Sequence, residues 1–285
     1  MPLAFATWSA LLNNFVIERA NFTGVEIGWL HSVREVPGFL AIGVIFVIIF
    51  MREQVLAVVS LLMLGLATAV TAWYPSFGWL MLVTVVSSIG FHYYETVNQS
   101  LQLQWLPKDK APRMMGWRVA GGSGASLLSS GLLVATWDLF DLTYTTVYMI
   151  AGGACRAIAI YCAVMFPQFE GELQTKKMVL RRRYWLYYAL QFMSGARRQI
   201  VLVFAAFMMV ERFGFEVHEV TALFLINFVA NMIFAPMMGR AVHHWGERNA
   251  LIFEYTGLIA VFLAYGGIYF FGWGVVLAAS LYVLD

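Results

Sequence analysis

The sequence predicts an all-α integral membrane protein with about nine complete transmembrane helices and part of a tenth. Three observations carry that reading. Of 285 residues, 61% are hydrophobic and 12% charged, with a mean hydropathy of +0.74. A soluble domain holds ~45–50% apolar and ~25% charged residues, so only a bilayer can solvate this chain. The apolar residues also fall in stretches of roughly 20, the length that crosses a hydrocarbon core at 1.5 Å per residue. Finally, period-two alternation over ten-residue segments is nowhere sustained, which excludes a transmembrane β-barrel. The same composition excludes a disordered chain, a collagen-like fibre and a disulfide scaffold. A formal charge of +2 with scattered basic residues gives no nucleic-acid-binding face.

Span 1, at 3–18, carries no charge before Glu18 and is several residues short. Span 2 runs 27–51, and span 3 runs 54–73 before the turn Tyr74-Pro75-Ser76. Span 4, at 77–104, ends at Leu106-Pro107-Lys108-Asp109. Span 5, at 114–137, contains Ala120-Gly121-Gly122-Ser123-Gly124-Ala125-Ser126, small enough for close approach to a neighbour. Span 6 occupies 143–166; its Cys155 and Cys162, seven apart on one helix, cannot bridge. A longer linker, 167–184, begins with Pro167 and holds Lys176, Lys177 and Arg181-Arg182-Arg183. Spans 7, 8 and 9 follow at 185–210, 217–238 and 249–271, with Gly239 to Gly246 expected as a turn between the last two. A tenth begins near 273 and is too short to cross before Asp285.

Orientation follows from lysine and arginine. The loops after spans 2, 4, 6 and 8, with their helix ends, hold 12 of the 18 basic residues. The opposite loops hold only Arg19 and Arg212. Positive residues stay cytoplasmic, so the N-terminus is expected in the cytosol of an inner or plasma membrane.

The chain also repeats itself. At an offset of 193, Glu18-Arg19-x-x-Phe22-x-x-x-Glu26-Ile27 falls on Glu211-Arg212-x-x-Phe215-x-x-x-Glu219-Val220, with Leu30 on Leu223. The offset spans six helices, an even number, so both copies keep one membrane orientation. The expected domains are therefore an N-terminal six-helix bundle at 1–166, a basic cytoplasmic linker at 167–184 and an incomplete C-terminal bundle at 185–285.

Two six-helix halves joined by a basic linker resemble the major facilitator superfamily of secondary transporters. Members carry G-x-x-x-D-R-x-G-R-R after helices 2 and 8. Here the second copy reads Gly239-Arg240-Ala241-Val242-His243-His244-Trp245-Gly246-Glu247-Arg248, with His243 in the aspartate's place. The first has eroded to Phe50-Met51-Arg52-Glu53. Span 4 lacks the arginine motif linked with proton coupling, and span 5 lacks the antiporter proline-glycine pattern. The resemblance implies a bundle of twelve helices, so the chain is expected to lack helices 11 and 12, most of 10 and the start of 1. It also implies that helices 1, 4, 7 and 10 line a central cavity.

A charge near the bilayer centre costs ~2.5–3.5 kcal/mol on insertion scales, so each needs a reason. His92, Glu95, Gln99 and Gln102 share one face of span 4. This face reads either as a packing stripe or as a cavity wall, and the resemblance favours the wall. Arg197 and Arg198 lie mid-span in span 7, Asn13 and Asn14 in span 1, and Asn227 and Asn231 in span 8, where they can bond to span 7. Glu95, His92, Gln99, Arg197, Asn13 and Asn227 are the candidate solute- or proton-binding residues. Gly239, Gly246 and Arg248 are the candidate conformational motif. Arg34-Glu35 reads equally as a local ion pair or a solute contact, Arg156 as snorkelling or structural, and Glu254 as an ion-pair partner for Arg248. Asp138 with Asp141, and His243-His244, are weak metal candidates; capping is the simpler reading of the first pair.

The leading function is a secondary active transporter that moves a small solute by alternating access. The alternatives are an integral-membrane enzyme acting on a lipid-linked substrate, which would rest on His92 and Glu95 alone, and a non-transporting sensor on a transporter scaffold. The expected partners are a small-molecule solute, with or without a coupled proton, and the lipid bilayer. No nucleic acid, cofactor, metal or catalytic residue is expected, and a monomer is the favoured form. A cysteine placed at Lys176 should resist membrane-impermeant thiol reagents in intact cells; ready labelling from outside would invert the topology.

Overall fold

The computed structural model describes residues 1–137, 139–165, 181–200, 209, 213 and 217–284; the side chains of Asn13, Phe39, Val134, Phe224 and Tyr269, and of 195–200, 217–222 and 283–284, lie outside that description. Every regular element among these residues is helical. In order they are α1 (Pro2–Ala20), α2 (Gly24–Phe39), a 3-10 turn (Leu40–Gly43), α3 (Val44–Val47), α4 (Glu53–Val70), α5 (Phe77–Trp105), α6 (Ala111–Thr136), α7 (Tyr144–Met165), a second 3-10 turn (Arg182–Tyr184), α8 (Trp185–Ile200), α9 (Val217–Trp245), α10 (Glu247–Phe271) and α11 (Val275–Leu284).

Among the described residues six stretches are long and apolar enough to cross a membrane: Val25–Val47, Glu53–Val70, Phe77–Trp105, Tyr144–Met165, Leu225–Trp245 and Glu247–Ile268. This fits an all-α, multi-pass membrane protein. The sequence expectation was nine. The other three expected spans fall on α1, α6 and α8: α8 is described over 16 residues only, and α1 and α6 carry asparagine, glycine or serine among their apolar residues. Phe50 and Phe270 are more than four-fifths exposed.

The chain forms two compact units, residues 1–108 with 125–178, and residues 109–124 with 179–285. In the first, α4 packs against both α5 and α7. Small residues set both contacts. A Cβ on Gly65 would stand 2.8 Å from the carbonyl oxygen of Gly152 and 2.7 Å from Cγ of Arg156, and one on Gly152 would collide with Gly65 and Ala69. On the other side, a Cβ on Gly90 of α5 would stand 2.7 Å from the Ser60 carbonyl and 2.8 Å from the Leu64 nitrogen. Lipid tails are as apolar as leucine, so close backbone packing has to supply the attraction that water supplies elsewhere.

The turn from α1 to α2 gives the first copy of the repeat its meaning. Asn21 ends α1 in the left-handed region at φ 51°, a conformation asparagine tolerates. Thr23 and Glu26 form a capping box on α2, with the Thr23 amide 2.8 Å from Glu26 Oε2. Glu18 accepts a 2.8 Å bond from the Tyr144 hydroxyl of α7, and the Phe22 ring lies 5.9 Å from that of Phe77. Beneath sit Trp8, Leu12, Phe15, Val16, Leu30 and Tyr148. In the second copy Glu211, Arg212 and Phe215 lie outside the described residues.

The expected unbroken helix over 27–51 is interrupted. Pro37 sits inside α2, which stops at Phe39 and gives way to the 3-10 turn. Proline has no N–H to donate and its ring crowds the preceding turn.

A second correction concerns Gly239 to Gly246. α9 continues through Gly239 to Trp245, and only Gly246, at φ +79°, turns the chain. Gly239 serves close approach instead: a Cβ there would stand 2.5 Å from the Pro112 carbonyl of α6. Gly116 is pressed in the same way against Ala235 and Pro236. Met209, Leu223, Ile268, Ala278, Leu281 and Tyr282 form this unit's buried cluster, where α9, α10 and α11 meet.

Gly152→Ala should lower the unfolding midpoint of the purified protein by the equivalent of about 1–3 kcal/mol, the usual effect of overpacking. Gly153→Ala, where nothing lies within 4 Å, should match or exceed wild type. Equal behaviour of the two would remove the glycine contact as the basis of α4–α7 packing.

Candidate functional site

The polar face of α5 is longer than the sequence reading had it. Ser88 precedes His92 by four residues, so Ser88, His92, Glu95, Gln99 and Gln102 recur at helical spacing. His92 is half-buried; its ring packs on Gly38 of α2, with Cε1 3.1 Å from where a Cβ would stand, and meets Phe91 edge-on at 5.3 Å. Glu95 is half-buried and Gln99 exposed. The amide nitrogen of Gln102 is buried without a hydrogen-bond partner among the described residues.

α2 and α5 lie alongside each other in a constant register. The Ser88 hydroxyl donates to the carbonyl oxygen of Arg34, His92 meets Gly38, and the Tyr93 hydroxyl reaches Gly43. The carbonyl that Ser88 satisfies lies one turn before Pro37, where the helix ladder is disturbed. This register puts the second polar feature beside the first. Arg34 donates to one oxygen of Glu35, from Nε at 3.1 Å and from Nη2 at 2.7 Å. Its guanidinium carbon stands 5.9 Å from the centre of the Trp8 ring of α1, a cation–π contact. The ion-pair reading of Arg34-Glu35 is the one the structure displays.

Sequence reasoning missed Ser88, Trp8 and Glu53. Ser88 was legible from spacing alone; Trp8 lies in an uncharged segment that offered no sign of a cation above it. Glu53, at the first turn of α4, accepts from Ser100 at 3.1 Å and from Gln104 at 2.6 Å, and Gln104 also donates to Ser100. The eroded motif at Phe50–Glu53 thus retains a structural acid that fastens α4 to the far end of α5.

Other expectations fare differently. The side chains of Asn13 and Arg197 lie outside the described residues, as does Asp138. Asn227 and Asn231 bond to each other along α9, at 2.7 Å, instead of reaching another helix, because residues four apart lie one above the other. Arg248 and Glu254 are both exposed and form no ion pair among the described residues; six residues apart on the continuous α10, they point to different faces. Arg156 is exposed and its stem lies over Gly65.

The family model described as Major Facilitator Superfamily matches residues 3–284. No curated protein matches the chain.

Glu53→Ala should strip Ser100 and Gln104 of their acceptor and lower stability by about 1–2 kcal/mol, read as an unfolding midpoint in detergent. An unchanged midpoint would deny Glu53 its role in joining α4 to α5.

Proposed function

The chain belongs to the Major Facilitator Superfamily, a family of transporters, and from that premise we propose that it moves a small solute by alternating access. Under this reading an N-terminal six-helix bundle and an incomplete C-terminal bundle are joined by the cytosolic linker 167–184, the nine spans read from the sequence cross the membrane, and the N-terminus faces the cytosol. Glu95, with His92 and Gln99 on its face, binds solute or proton. Arg197, Asn13 and Asn227 contribute further polar contacts to the solute, while Gly239, Gly246 and Arg248 govern the conformational change.

One observation supports Glu95 above the rest. Five carboxylates lie in residues 1–105. Four are engaged: Glu18 by Tyr144, Glu26 by Thr23, Glu35 by Arg34, and Glu53 by Ser100 and Gln104. Glu95 accepts no hydrogen bond from the described residues, although it stands well inside the 29-residue α5 and is half-buried. A carboxyl group kept at membrane depth without a structural partner calls for a solute or a proton.

The test needs a solute first, found by its stabilisation of the purified protein in a metabolite screen. Glu95→Gln keeps size and hydrogen bonding while removing the titratable charge. The variant should fold, reach the membrane and lose pH-driven uptake of that solute. Wild-type uptake with unchanged pH dependence would end the proposal for Glu95.

A further inference from the structure

Two charges of opposite sign stand exposed on the flanks of membrane-spanning helices. Arg156 lies near the middle of the span Tyr144–Met165, and no hydrogen bond or ion pair joins it to another described residue. The helices packed on α7 offer it no partner: α4 has no charged residue after Glu53, and α1 has none before Glu18. Both carboxylates sit at helix ends and are already bonded, Glu53 to Ser100 and Gln104, Glu18 to Tyr144. Arg156 lies nine residues before the end of α7 at Met165, about 14 Å of helix rise, farther than its side chain extends toward water. Glu254 repeats the situation with the sign reversed. It is exposed within the span Glu247–Ile268, seven residues from its start, and no described residue bonds to it.

Each charge has small, open residues beside it. On α7, Gly153 and Ala157 are exposed and four apart, flanking Arg156; on α10, Gly257 follows Glu254 by one turn, with Ala260 a turn beyond. A Cβ on Gly153 or on Gly257 would meet nothing within 4 Å. Glycine weakens a helix interior. At Gly65 and Gly152 that weakness is offset by a neighbouring backbone in close contact. Gly153 and Gly257 have room for such a neighbour, and none of the described residues fills it.

We infer that α7 of one copy of this chain packs against α10 of a second copy, with Arg156 of the first paired to Glu254 of the second. The occupant of each face is therefore this same chain, in place of the monomer expected from the sequence. Charge complementarity selects it: α7 against α7 would oppose two arginines, and α10 against α10 two carboxylates. Depth selects it as well. The inference rests here on the proposed topology, which puts the linker 167–184 and the turn at Gly246 on one side of the membrane. Arg156 and Glu254 then lie nine and seven residues from that side. The difference of two residues is about 3 Å, less than the length of either side chain. Pairing relieves two charges that lipid cannot solvate. The two faces differ, so the contact is heterologous and every copy carries one of each.

Donor- and acceptor-labelled copies of the 285-residue chain, mixed in phosphatidylcholine vesicles over a range of protein-to-lipid ratios, report association as energy transfer. Wild type should show transfer well above that of randomly placed monomers at equal density. Arg156→Glu and Glu254→Arg, each alone, set like charges face to face and should weaken association by about tenfold or more. Mixed with each other they should regain it, because each then meets the opposite sign at both faces. A pair formed within one chain would gain nothing from mixing. If a reversed variant does not fold, Arg156→Met, which keeps the stem over Gly65, and Glu254→Gln take its place, each associating about tenfold more weakly than wild type. Random transfer in wild type, variants that associate as wild type does, or reversed variants that stay apart when mixed would each overturn the inference. The underlying readings fail separately: labelling at Lys176 from outside would end the topology, and an associating chain that moves no solute would end the transport reading while leaving this interface standing.

Discussion

The first unit depends on α4 lying flush against two neighbours at once. In water a helix can be held by the burial of leucines; in lipid it gains little that way. Gly65 against Gly152 and Gly90 against Ser60 and Leu64 bring backbones within the reach of one missing methyl group. Dispersion then acts over the whole length of contact. Thr68 and Thr71, both buried, return their hydroxyls to carbonyls of their own helix, so that neither hydroxyl is stranded. With α4 fixed, α5 and α7 are fixed, and the corner that ties Glu18 to Tyr144 follows.

The register between α2 and α5 is the next consequence. It gives the Arg34 carbonyl, in the turn before Pro37, a donor from Ser88 of the neighbouring helix. It also places one set of polar side chains beside another. Both sets hang from helices whose backbones are already secured elsewhere, at Gly90 and at Val44, Val97 and Leu101.

What the sequence disclosed, and what it withheld, divides along physical lines. The existence of the helices was legible because a bilayer demands apolar runs of a set length, and Phe77–Trp105 and Tyr144–Met165 agree with the expected spans to within one or two residues. The polar face around Glu95 was legible because helical spacing is fixed. Contacts between helices were not. Gly239 carries the same letter whether it turns a chain or admits a neighbour, and only Pro112 across from it decides the matter. Asn227 and Asn231 have a spacing that suits bonds along the helix as well as between helices. Pro37 was visible as a residue, yet a hydropathy count does not register a missing N–H. Trp8 looked like ordinary core until a guanidinium from another helix was found above it.

The helix α6 carries a consequence for how the molecule is made. It is one continuous helix over Ala111–Thr136, yet residues up to 124 belong to one unit and those from 125 onward to the other. The ribosome therefore delivers Gly116 long before Ala235 and Pro236, its partners on α9. At ordinary synthesis rates of about 5–20 residues per second, the delay is on the order of ten seconds. For that time a glycine-lined surface of α6 stands without its match on α9. Cutting the gene at the basic linker and expressing the pieces apart would make that interval permanent for the N-terminal piece.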